Sequence, residues 1–191
     1  NTFTEVEKKL ILGAKDRIKS KLETFNMTVR KLGPMYEHSY FLTGGAIGSL
    51  LRDEEPNDWD IYFFDGVIAN SIFNLYEKDP SYQNEVATYE EKYRDVPAAK
   101  TGKVITENAV SLKSGIQLIT LHYGLPDLIR STFDYVHCMP WYDPHSDILY
   151  ISKEQYDLNI RKELKVNNQS AWTLRREMKF MDRGWTRYVT T

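Results

Sequence analysis

Cysteine is almost absent from this chain: Cys138 is the single cysteine among 191 residues. That excludes an internal disulfide framework and a multi-cysteine zinc site, and it favours a reducing compartment such as the cytoplasm. Long apolar runs are missing too, so no membrane-spanning helix is expected. The chain shows no signal-peptide pattern, internal repeat or low-complexity tract. Charge of one sign is also lacking overall, with a net value of −2 that names no partner. What is present is ordinary for a folded protein. Hydrophobic residues make up 41%, too many for a disordered chain. Thirteen Tyr, eight Phe and four Trp supply large core and stacking groups. The length suits one domain spanning residues 1–191, with room for a helical appendage.

The charge is unevenly distributed. From Arg161 to the end, eight basic residues face three acidic ones, a balance of +5 on a body that carries −7. A basic end on an acidic body suits either an anionic partner or a solvated helix face.

Periodicity gives a coarse map. Val6, Leu10, Ile11, Ala14, Ile18 and Leu22 recur at helical spacing and predict a helix over 4–25. Residues 39–43 read as a short buried strand, broken by Gly44-Gly45, and 46–52 as a helix. A strand is predicted over 58–64 and a helix over 67–76. The polar, Tyr-rich stretch 78–103, with Pro80 and Pro97, suits helix and loop lying over a site. Residues 106–113 and 116–121 predict a hairpin, and Pro126 opens a helix to about 131. Strands are expected over 134–139 and 148–151, then helices near 153–163 and 169–182. The class is α/β or α+β, a mixed sheet flanked by helices, with a core over about 39–151 and a basic helical tail over 152–191.

The informative segment runs from Phe41 to Phe63. A strand delivers Gly44 and Gly45 into the start of a helix, where backbone can approach an anion closely and N–H groups are unpaired. Ser49, one turn on, adds a hydroxyl. After twelve intervening residues, 46–57, comes Asp58-Trp59-Asp60. Strand alternation sets Asp58 and Asp60 on one face and Trp59 and Ile61 on the other. Two carboxylates on one face repel each other, and a hard divalent cation removes that repulsion.

This combination resembles the polymerase-β-like nucleotidyltransferase superfamily, whose signature is a glycine pair, a spacer and Asp-x-Asp on a strand. Gly44-Gly45-Ala46-Ile47 and Leu50-Leu51 are similar to the head of poly(A) polymerases and CCA-adding enzymes. Gly48-Ser49 stands where those enzymes carry Arg-Asp, and no Arg-Arg-Asp base-reading motif is found, which leaves the base unassigned. The resemblance implies that Gly44, Gly45 and Ser49 hold a nucleoside triphosphate such as ATP. It implies that Asp58 and Asp60 bind Mg²⁺ or Mn²⁺. It implies attack of an acceptor hydroxyl on the α-phosphate with release of pyrophosphate. The acceptor is an RNA 3′ end, a protein hydroxyl or a small molecule. A third metal-binding carboxylate is expected on a later strand. Asp134, in a Phe-Asp motif similar to that of some viral members, is favoured; the competing position, in the strand around 115–120, reads Gln117. If neither position supplies an acid, a binding-only relative is implied. A viral, for example phage, origin would place the protein in the host cytoplasm.

Other residues read as structural. His137 and Cys138, adjacent on the expected strand, point to opposite faces and form no dyad. His38, His122 and His145 lack metal-ligand spacing, and Lys103 and Lys113 suit solvated positions near the middle strands. In the tail, Trp172, Met178, Phe180 and Met181 are expected to pack, leaving Arg175, Arg176 and Lys179 for nucleic-acid contact, with Trp172 and Trp185 as stacking groups.

Overall fold

The computed structural model describes residues 2–94 and 100–190; Pro97, within the stretch read as covering a site, lies outside them. Helix α1 (Glu5–Leu32) starts at a capping box, in which Glu7 N–H donates to Thr4 Oγ1 and Thr4 N–H to the Glu7 carboxylate. It ends at Gly33, whose φ of +126° bars most side chains, and Pro34 follows. Its buried stripe is Ala14, Ile18, Leu22, Phe25 and Val29. The helix thus runs seven residues beyond the expected end at 25, and Val6 and Leu10 are exposed rather than buried. The stripe continues to Val29 because the sheet it covers extends that far.

Helix α2 (Pro34–Glu37) leads into strand β1 (Tyr40–Thr43), then helix α3 (Ala46–Leu51), strand β2 (Trp59–Phe63) and helix α4 (Gly66–Lys78). Short helices α5 (Pro80–Gln83) and α6 (Tyr89–Lys92) follow, then the expected hairpin of β3 (Ala109–Ser111) and β4 (Ile116–Ile119). Helix α7 (Pro126–Ser131) comes next, then a 3₁₀ turn (Val136–Cys138), and then β5 (Trp141–Asp143) and β6 (Ile148–Tyr150). Helix α8 (Lys153–Arg161), β7 (Glu163–Leu164), α9 (Thr173–Met181) and β8 (Thr186–Arg187) complete the described chain.

The main sheet has six strands in the order β3-β4-β2-β1-β5-β6. Only the β2–β4 pair is parallel, so the sheet is mixed. Alternation divides its two faces. Trp59, Ile61 and Phe63 of β2 join Leu42, Leu118 and the stripes of α1 and α4 in the main core. Asp60 and Tyr62 point to the other face, where Tyr62 stacks on Phe41 at 5.8 Å between ring centroids.

Two strand assignments change. Residues 134–139 form no strand of the main sheet: Tyr135 makes an isolated antiparallel bridge with Val166 of the tail, through hydrogen bonds of Val136 N–H to the Lys165 carbonyl and of Asn167 N–H to the Asp134 carbonyl, and Val136–Cys138 then close into the 3₁₀ helix. The strand that pairs with β1 on the side away from β2 is β5, through Trp141 and Tyr142, outside every strand expected from the sequence. A two-stranded parallel ribbon, β7 with β8, ties the C-terminus back to α8.

The core stripe makes a paired prediction. Leu22→Ala, at a site with no solvent exposure, should cost roughly 2–5 kcal/mol in urea unfolding. Leu12→Ala on the exposed side of the same helix should stay within about 0.5 kcal/mol.

Candidate active site beneath the glycine turn

Strand β1 ends in the glycine turn, and β2, antiparallel beside it, begins with Trp59-Asp60. The turn and Asp60 are therefore neighbours. Gly44 has φ +102°, and a Cβ there would come within 3.3 Å of Asp60 Oδ2. Its N–H donates to the Cys138 carbonyl at 3.1 Å. The role of Gly44 is thus steric: it lets backbone lie on the carboxylate, and its N–H is already engaged. Gly45 is exposed and caps α3. With only six residues, α3 has a weak dipole. Ser49 Oγ donates back to the Gly45 carbonyl at 3.2 Å and faces the same opening.

Asp60 Oδ1 is buried without a hydrogen-bond partner, although the residue as a whole is only half-buried. Loss of hydration, and then the Asp58 charge, push its carboxyl up to about 7. Asp58 stands just before β2, more exposed, with the Lys92 ammonium 3.9 Å from its Oδ1. A buried, unpaired carboxylate oxygen beside a second carboxylate is the donor set a hard divalent ion takes, so Asp58 and Asp60 fit Mg²⁺ or Mn²⁺.

The two aspartates open into a cavity of about 340 Å³. Gly45, Ser49, Asp58 and Asp60 line it together with Glu54, Glu55 and five cations, Arg52, Lys162, Arg176, Lys179 and Arg183; Arg52 and Lys162 pair with Glu54. The cations from Lys162 onward belong to the basic tail, so its charge is brought onto the site. Of the residues expected to contact nucleic acid, Arg176 and Lys179 face this cavity. Arg175 turns away, and its guanidinium lies 5.6 Å from the Trp172 ring. The packing expected of the tail is corrected likewise. Trp172, Met178 and Met181 are exposed, and α9 is held by Phe180, which packs with Tyr135, His137 and Trp185. Trp185 is buried, 4.2 Å from the His137 ring and under the Arg52 guanidinium, and so offers no stacking face.

Asp134 does not join the aspartate pair. It sits in the turn before the 3₁₀ helix, buried, with its carboxylate ion-paired to Arg176. No group of three metal-ligating side chains occurs among the described residues. The residue in register with Asp60 on the neighbouring parallel strand is Gln117.

The 3₁₀ turn also revises the expected separation of His137 and Cys138. Their side chains meet, Sγ to Nε2 at 3.4 Å, and both border the cavity. Burial raises the thiol to about 11 and lowers the imidazole to about 3, so at neutral pH the pair is uncharged and carries no nucleophile.

Gly48 departs from the glycine-pair enzymes for a visible reason. A Cβ at Gly48 would come within 1.9 Å of Asn159 Oδ1 on α8. Asn159 is buried and donates to the carbonyls of His137 and Gln155, and Arg52 donates to it. The absent side chain lets α8 lock the site wall. Lys92 is the neighbour that the sequence reading missed. Its signal lay in the polar stretch taken to cover a site, where Thr88-x-x-Glu91 marks a helix start.

Two outcomes test this geometry. The folded Asp60 carboxyl titrates above its unfolded value of about 4. The stability it contributes is therefore complete below about pH 4 and is lost as pH rises through about 7. Calorimetry of the metal-free chain should show the melting temperature falling between pH 5 and 8, and Asp60→Asn should remove that part of the fall. Mg²⁺ should raise the melting temperature more at pH 8 than at pH 5.5, because it binds the ionised form. Separately, Arg176→Ala strands the buried Asp134 carboxylate and should cost about 1–3 kcal/mol in urea unfolding, whereas Arg175→Ala should be near neutral.

Comparison with known proteins agrees with this architecture. The Thermotoga maritima CCA-adding enzyme complexed with tRNA_CCA aligns with a TM-score of 0.57 at 16% identity, over 96% of this chain and 42% of that one. A CCA-adding enzyme in complex with ATP gives 0.55 at 15% identity, over 95% of this chain and 41% of that one. At such identities the likeness establishes the fold, a polymerase-β-like nucleotidyltransferase head. A Gabija anti-defense 2 protein of Bacillus phage SPbetaL7 is 26% identical over 151 residues, 76% of this chain and 33% of the phage protein. The chain therefore spans about a third of that relative's length. Residues 16–162, from within α1 to the end of α8 and so including the glycine turn and both aspartates, match the model of the Gad2, Gabija anti-defense 2, family; the chain belongs to that family.

Proposed function

We propose that this chain is a divalent-metal-dependent nucleotidyltransferase head. It moves a nucleoside monophosphate from a triphosphate to an acceptor hydroxyl and releases pyrophosphate. The carrying observation is the buried, unpartnered Asp60 oxygen beside Asp58, opening into a cavity that Lys179 and Arg183 also line. Asp58 and Asp60 would hold Mg²⁺ or Mn²⁺, which when bound polarises a phosphoryl group as a Lewis acid. Lys179 and Arg183 supply positive charge for a triphosphate within the same cavity, where Arg52 and Lys162 are paired with Glu54. Arg176, tied to Asp134, is held in place before a substrate arrives, which limits the ordering cost of binding. Ser49 offers a hydroxyl to the same opening. The tRNA and ATP named with the CCA-adding enzymes support an RNA acceptor and a nucleotide donor here. The phage relative supports work in a host cytoplasm.

One observation favours a second reading, a nucleotide-binding relative without catalysis. Gln117 stands beside Asp60 and Asp134 is occupied by Arg176, so neither position expected to supply a third metal-binding acid does so.

Incubation with α-labelled triphosphates, Mg²⁺ and pooled RNA and protein acceptors separates them. Transfer should yield labelled acceptor and pyrophosphate. Asp58→Asn or Asp60→Asn should lower the rate roughly a hundredfold or more, since the ion supplies several kcal/mol of charge stabilisation. Metal-dependent retention of triphosphate without pyrophosphate would establish the binding-only reading.

A further inference from the structure

We propose that the Lys92 ammonium is a built-in cation of the aspartate site, so that the chain binds one divalent ion where a paired-metal site would bind two. The inference rests on the reading of Asp58 and Asp60 as metal ligands.

Lys92 is placed by local structure. Helix α6 begins at its own capping box, in which Glu91 N–H donates to Thr88 Oγ1 and Thr88 N–H to the Glu91 carboxylate. That turn directs Lys92 inward. Its Nζ donates to Ser111 Oγ at 2.6 Å and lies 3.9 Å from Asp58 Oδ1, with only 16% of the side chain exposed. Ser111 is itself buried. The ammonium is therefore a fixed charge, unlike the mobile head of a surface lysine.

The sheet register shows what stands around it. Asp60 pairs with Gln117, and Gln117 pairs with Ser111, so the three lie in one row across β2, β4 and β3 on the site face. Only the first of them is an acid. Paired catalytic ions sit roughly 3.5–4 Å apart and share carboxylates. A second ion would have to draw its charge compensation from the positions of Gln117 and Ser111, which are neutral. It would also stand against the Lys92 ammonium, and like charges a few ångströms apart in a partly dry site repel by several kcal/mol. Two carboxylates balance one divalent ion, and the ammonium then adds a single positive charge. A second divalent ion in its place would add two, and the other carboxylates of the cavity are already engaged, Glu54 by Arg52 and Lys162 and Glu55 by Arg17.

The test counts ions rather than turnover. Mn²⁺ is titrated into the nucleotide-free chain at pH 8, with free Mn²⁺ read by electron paramagnetic resonance and folding checked by thermal unfolding. Wild type should bind one Mn²⁺ per chain, and Asp58→Asn should abolish or greatly weaken that site. Lys92→Met should still bind one, with affinity raised roughly tenfold by loss of the neighbouring like charge. Combining Lys92→Met with Gln117→Glu should create a second site. Two ions on the wild type would overturn the proposal while leaving the aspartates as ligands. One ion on the folded double variant would also overturn it. No binding by wild type would overturn the aspartate reading as well. Should the double variant fail to fold, the wild-type count and the affinity change in Lys92→Met decide.

Discussion

An aspartate oxygen shut away from water with nothing to bond it is the constraint around which this molecule is arranged. Such a group costs several kcal/mol in a folded protein unless a cation compensates it. Asp60 is held in that position by the strand that carries it and by Gly44, whose missing side chain lets the backbone turn lie against its carboxylate. Asp58 intensifies the problem by adding a second negative charge on the same side. The cations nearby make sense against that background: Lys92 beside Asp58 from the neighbouring cavity, and Arg52, Lys162, Arg176, Lys179 and Arg183 in the lining of the opening itself.

The tail is consequently a wall of the site more than a detached arm. Two interactions dock it. Arg176 pairs with buried Asp134, and Trp185 packs on His137 beneath Arg52. The small parallel ribbon of β7 and β8 closes the segment onto α8, whose Asn159 in turn fills the space vacated at Gly48. These contacts couple the glycine turn, α8 and the C-terminal helix, so a change in any of them reaches the cavity. They also explain why His137 and Cys138, chemically suggestive when adjacent, are inert: the same packing that joins them removes the water that either charged form needs.

The resemblance to nucleotidyltransferases rests on the glycine turn and the aspartate pair, and the surroundings of that pair depart from what the resemblance implies. An amide, Gln117, stands in register with Asp60, and the acid that sequence reasoning preferred as a third ligand serves as the tail's anchor. Membership in an anti-defense family is compatible with either transfer or retention of a nucleotide, and the two uses place the same demands on the aspartates and the cations that line the cavity with them.

The sequence by itself determined the local features. The 3.6-residue stripe of α1, the glycine pair between strand and helix, the alternation that separates Asp60 from Trp59, and the turn between β3 and β4 all follow from nearest-neighbour sterics and periodic burial. Those features sufficed for the fold class and for expecting Asp58 and Asp60 side by side, and both line one cavity. The tertiary structure alone decided which distant charges meet. Asp134 had the local look of a strand start, yet its carbonyl accepts from Asn167 and Asn168, the neighbouring Tyr135 bridges to Val166 of the tail and not to the main sheet, and Arg176 claims its carboxylate. Lys92 had no mark distinguishing it from a surface lysine until α6 folded over Ser111. Contacts between residues 34 or 42 positions apart leave no periodic trace along the chain, because the energy that forms them comes from burial and charge pairing after the strands have assembled.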